Sequence, residues 1–201
     1  MWYTYAKGMV TNMEDYTLTT GDIILVDSQK GGAKIVKFFM TAPTWVQYLW
    51  RAIRGTQKHI PYYHVRMAIP TSTEPLRCIE QQAKVETRDW NPLSVQAIFR
   101  TNLTEDQKVR LTLRSIEDIG QGYDILNIVG KTLTWLTGIK VFGRYLQWPR
   151  AEVCVNRVAY WYEKEVGETF GAVTHSEVTT QSMYESMLNN PKYTCVYQKT
   201  E

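Results

Sequence analysis

A thiol, an imidazole and a carboxylate are the groups in this chain with the clearest chemistry to offer. They sit at Cys154, His64 and Glu80. Cys154 lies in Pro149-Arg150-Ala151-Glu152-Val153-Cys154-Val155-Asn156-Arg157. This stretch predicts a helix from about Glu152 to Glu165, closed by Gly167. The thiol then falls in the first turn, where unpaired N–H groups and the positive end of the dipole favour thiolate. The same N–H groups suit an oxyanion. A small buried core residue is the commoner use of such a cysteine. His64 falls in a strand predicted from Tyr62 to Ile69, on one face with Tyr62, Arg66 and Ala68. Glu80 shares a face of the next strand with Cys78 and Gln82. If the two strands pair, the carboxylate can meet the imidazole across the ladder and fix its tautomer, as a catalytic base requires. The competing reading is a surface histidine beside an unrelated glutamate.

Spacing excludes several other sites. Gly31-Gly32-Ala33-Lys34 lacks the spacing and the following hydroxyl of a phosphate-binding loop. Gly120-Gln121-Gly122 lacks the third glycine of a dinucleotide fingerprint and follows no predicted strand. No GxSxG elbow occurs. His59 and His64, five apart, suit neither a helical nor a CxxC-type zinc site. No metal site and no cofactor is expected.

The elements that must position these groups read as one mixed domain over 1–201, with a core of about 19–197. Thr19-Thr20-Gly21-Asp22 is a turn, and Ile23 to Val26 follows as a fully buried strand. Helical stretches are expected at 33–40 and 44–54, on either side of Pro43. Strands are expected from Arg77 to Gln82, Lys84 to Arg88 and Gln96 to Arg100. Thr104 caps a helix running to about Ile119 and stopped by Gly120. Tyr123-Asp124 leads into an apolar helix over 125–136. Thr179 or Thr180 caps a short helix to about Leu188, and Tyr193 to Tyr197 alternates like a last strand.

Composition narrows the class. With 44% hydrophobic residues, seven Trp and thirteen Tyr among 201, the chain can bury a sizeable core and is not disordered. Three cysteines, an odd and small number, argue against a disulfide framework. A net charge of +3 is too weak to imply nucleic acid, and no specific nucleic-acid partner is expected. Met1 to Gly8 shows no secretory signal pattern. The run from Phe38 to Trp50 is thirteen uncharged residues, short of the ~20 that a spanning helix needs. Synthesis as a soluble cytoplasmic chain is the expectation.

The ordered set of features resembles the circularly permuted papain-like cysteine hydrolases, in particular the YiiX-like branch of the NlpC-type superfamily, related to lecithin retinol acyltransferase. The set is Gly21-Asp22 before the first strand, His64-Val65 on a strand, Glu80 on the next, Tyr123-Asp124 before a helix and Cys154 at a helix start. Val178-Thr179-Thr180-Gln181-Ser182 then precedes a last strand. The resemblance implies an α+β permuted papain-like fold, a small antiparallel sheet packed against helices. It implies Cys154 as nucleophile, His64 as general base and Glu80 as the residue that orients it. Gly21, Asp22, Tyr123 and Asp124 would be structural. The chain departs from the family pattern in Tyr63, where a serine usually precedes the histidine. It departs again in Cys154-Val155-Asn156, usually Cys-Ser-Glu, and in Gln81-Gln82, where a small residue usually follows the glutamate. Gln82 is an alternative orienting residue on the face of Glu80.

Between Ser28 and Thr73 lie seven basic residues and no acidic one, interleaved with aromatics including Trp45 and Tyr63. Segment 28–73 reads either as a platform for an anionic polymer or a membrane surface, or as a two-sided helix whose aromatics fill the core. Trp45, Tyr63 and Gln82 are the candidate substrate-binding residues. The expected function is a thiol hydrolase of an amide or peptide bond, with bacterial cell wall as a candidate substrate and delivery by a phage or virion as a candidate route. The alternatives are an acyltransferase or lipid esterase on the same site, or a non-catalytic binding protein that keeps the fold.

Overall fold

The computed structural model describes residues 17–26, 64–70, 77–81, 84–89, 91, 94–122 and 154–199. Six strands lie in one sheet. They are β1 (Ile23–Val26), β2 (His64–Ile69), β3 (Arg77–Gln81), β4 (Val85–Asp89), β5 (Val95–Thr101) and β6 (Tyr193–Gln198). Their order is β4-β3-β2-β1-β5-β6, and every neighbouring pair is antiparallel. All four residues of β1 are buried. A strand at the centre of a sheet covered on both faces has no reason to alternate, which is why its apolar residues run unbroken.

The two faces carry separate cores. Ile23, Leu25, Val65, Met67, Ile79, Ala97 and Phe99 join one cluster with residues of three helices. Ile24, Val26, Ala68, Cys78, Val95 and Ile98 form the other. The helices are α1 (Glu105–Glu117), α2 (Cys154–Val166) and α3 (Thr180–Asn189). In α2, Val155, Val158, Ala159, Trp161 and Tyr162 belong to the first cluster. Burying these side chains, at roughly 1.5–3 kcal/mol for each one larger than alanine, makes α2 a main support of the sheet.

Local chemistry sets the helix ends. Thr104 accepts from the Gln107 N–H at 3.2 Å, and the Gln107 side chain accepts from the Thr104 N–H at 3.0 Å, a closed capping box. Thr179 and Ser182 make the same reciprocal cap on α3. Helix α1 stops at Glu117 rather than at Ile119. Asp118 ends it, and its carboxylate accepts from Arg157 Nη1 at 3.0 Å and Trp161 Nε1 at 2.8 Å. The chain then turns, and Gly120 and Gln121 pair with the main chain of Val85. Strand β5 extends one residue beyond the expected stretch at each end, and α3 runs to Asn189. The stretches expected to be helical at 33–40, 44–54 and 125–136 lie outside the described residues, as do Tyr123 and Asp124.

Gly21 and Asp22 lead into β1. Gly21 has φ +84°, and a Cβ there would meet Leu103 Cδ1 at 2.4 Å. Asp22 is buried and accepts from the N–H and hydroxyl of Thr19, both at 2.9 Å. Arg100 on β5 forks onto its two oxygens at 2.9 and 2.8 Å. The pair holds the turn and locks β1 to β5.

Candidate active site

His64 opens β2 and Glu80 stands on β3. The register places Arg66 opposite Glu80, so His64 is the diagonal neighbour of Glu80, within reach of long side chains. His64 Nε2 lies 3.0 Å from Glu80 Oε2. Cys154 is the first residue of α2, and its thiol neighbours the His64 ring closely enough for each to shift the other's protonation. With Nε2 turned to Glu80, Nδ1 is the ring nitrogen left for sulfur. The main-chain N–H groups of Val65 and Val155 also donate to that sulfur. Two side chains ninety positions apart (154 − 64) are thus brought together, with Glu80 behind the imidazole.

The electrostatics follow from these contacts. Burial works against an imidazolium at His64, but the Cys154 thiolate and the Glu80 carboxylate overcome it and push its pKa up to about 9. Burial likewise works against the thiolate. The charge and hydrogen bond of His64, with the two N–H donors, hold Cys154 below the usual thiol range. Glu80 is fully buried, yet His64, Arg66 and Arg88 keep it below the usual carboxylate range. The arrangement favours a thiolate–imidazolium pair backed by a carboxylate.

Sequence reasoning missed the two arginines. Arg66 Nε bonds Glu80 Oε2, the oxygen that also faces His64. Arg88 Nε lies 2.8 Å from Glu80 Oε1 and reaches Glu86 Oε1 through Nη2 at 2.6 Å. The missed signal is a register fact. Glu80 and Glu86 are directly opposite each other across β3 and β4, and two facing carboxylates call for a cation between them.

The remaining candidates separate cleanly. Trp45, Tyr63 and Gln82, with most of segment 28–73, lie outside the described residues, and so does His59. Cys78 is buried in the second core, where burial pushes its thiol up to about 12. Cys195 is half-buried on β6, its thiol pushed up to about 11 by burial, with Sγ 3.4 Å from the Tyr197 carbonyl. His175 pairs with Glu163, its Nδ1 2.9 Å from Glu163 Oε2. Asn156, a departure from the family pattern two residues after Cys154, is a buried strut. Its Nδ2 donates to the carbonyls of His175 at 2.6 Å and Val178 at 2.8 Å. It ties α2 to the chain entering α3.

No protein-family model matches the chain, and no curated protein matches it. Solved structures do match. One is described as the crystal structure of metalloprotein yiiX from Escherichia coli O157:H7, DUF1105. It is 14% identical, with a TM-score of 0.58, and the alignment covers 92% of this chain and 100% of that one. The chain is therefore an α+β protein, an antiparallel sheet packed against helices. In particular, it has a fold similar to that of YiiX. The word metalloprotein describes the neighbour. Among the described residues of this chain, no group of three or more His, Cys, Asp or Glu gathers in a way that could hold a metal ion. Among the same residues, no helix is long and apolar enough to cross a membrane.

Proposed function

We propose that the chain is a thiol hydrolase in which Cys154 is the nucleophile, His64 the general base and acid, and Glu80 the residue that orients the imidazole. The observation that carries this reading is the pairing of the buried Cys154 thiol with the His64 ring, backed by Glu80 Oε2 at 3.0 Å from Nε2. The thiolate attacks a carbonyl carbon, and the electron pair moves to oxygen. His64 gives its proton to the leaving amine or alcohol. Water, deprotonated by His64, then releases the acyl group and restores the thiolate. The substrate class is an amide or peptide bond, with bacterial cell wall as the leading source. Transfer of the acyl group to another acceptor, or cleavage of a lipid ester, uses the same two side chains.

The rival is a buried cysteine in a non-catalytic protein, favoured by the 1% exposure of Cys154. Incubation with muropeptides and with a fluorogenic ester, in wild type and Cys154→Ser, tests the choice. Turnover of either substrate that Cys154→Ser abolishes is the expected result, and the preferred substrate names the class. No turnover, together with a Cys154 that alkylates like an ordinary thiol, favours the rival.

A further inference from the structure

Glu80 is in an unusual position for a buried carboxylate. It has no solvent exposure, and its two oxygens are approached by three positively charged or chargeable groups on two strands: His64 and Arg66 from β2, and Arg88 from β4. Oε2 is shared by His64 Nε2 and Arg66 Nε. Oε1 finds no donor at hydrogen-bonding angles among the described residues; its partner is the Arg88 cation at 2.8 Å. A carboxyl shut away from water with a neutral imidazole alone for company would take up a proton. A neutral carboxyl cannot stabilise an imidazolium by charge.

We propose that Arg66 and Arg88 are positioning residues of this site, gripping one Glu80 oxygen each so that the buried carboxylate stays ionised and turned toward His64 Nε2. Neither arginine touches the sulfur in any contact described above. They act through Glu80. Arg88 is the more instructive of the two, because it sits on β4 at the edge of the sheet and is partly exposed while its partner is fully buried. It is also the group that reconciles Glu80 with Glu86, its facing carboxylate. The site therefore depends on a strand that carries none of the reacting groups.

This inference rests on the Cys154–His64–Glu80 reading, but its test does not require turnover. The His64 ring signals, assigned by their loss in His64→Ala, are titrated by NMR in wild type, Arg88→Gln, Arg88→Lys and Glu80→Gln. The expected result is a fall in the His64 pKa of about one unit or more in Arg88→Gln. Arg88→Lys should restore most of it. In a Glu80→Gln background, Arg88→Gln should change nothing further, because the arginine acts through the carboxylate. Arg66→Gln should behave in the same way. A His64 pKa that is unchanged or raised in Arg88→Gln overturns the proposal, since removing a cation that merely sits nearby raises it. Should Arg88→Gln fail to fold, Arg88→Met takes its place in the same titration, read by the same criterion. Iodoacetamide kinetics on wild type and His64→Ala, run alongside, report separately on the hydrolase reading: an ordinary thiol there sinks that reading, while the arginine effect on His64 is judged by the titration.

Discussion

At the scale of single residues, the charge state of the site is the property to measure. In the unfolded chain the imidazole titrates near 6.5, and in the fold His64 is raised to about 9. Its retained proton thus contributes stability that is complete below the unfolded value and is lost as pH climbs through about 9. Cys154 and Glu80 have the opposite sign. Their depressed values contribute stability above the unfolded pKa that is lost as pH falls through the folded one. The ion pair therefore spans the range from the lowered thiol value to about 9. Iodoacetamide should modify Cys154 at about pH 6 at least about tenfold faster than it modifies the same thiol in His64→Ala, whose profile should move toward that of an ordinary cysteine. Equal rates at that pH would remove the ion pair from the description.

At the scale of elements, the turn before β1 carries an expectation of its own. Gly21 combines φ +84° with a Leu103 methyl 2.4 Å from where a Cβ would stand. Gly21→Ala should lose about 2–3 kcal/mol, from left-handed strain and the displaced leucine, as read by urea denaturation. A loss below a few tenths would mean that the turn relaxes freely. Much of this element-level structure was legible beforehand. The caps at Thr104 and Thr179 and the unbroken apolar run of Ile23 to Val26 each encode their element locally. The end of α1 was not legible. It depends on Asp118 being claimed by Arg157 and Trp161, thirty-nine and forty-three positions away.

At the scale of the molecule, that same Asp118 contact joins α1 to α2, and through α2 it bears on the placement of Cys154. Arg157 and Asp118 are both about 5% exposed at their side chains, so the pair is buried. Asp118→Asn should cost about 3 kcal/mol, because it removes the countercharge from an interior guanidinium. Thermal unfolding measures the loss, and an unchanged midpoint would show that α1 and α2 do not depend on this link. The pairing of β2 with β3 matters in the same way. It sets which carboxylate reaches His64, and β4 beyond it supplies Arg88.

Residue types and their order along the chain determined the mixed α and β class and the positions of most described elements, because propensity, capping and apolar spacing are local properties; they also singled out Cys154, His64 and Glu80 as candidates. Only the tertiary structure decided that Glu80 meets His64 on a diagonal, that two arginines close on its oxygens, and that Asn156 serves as a strut near Cys154. Register between strands and the docking of a helix on a sheet are long-range choices. They follow from burial summed over the whole core, which no short stretch of sequence contains.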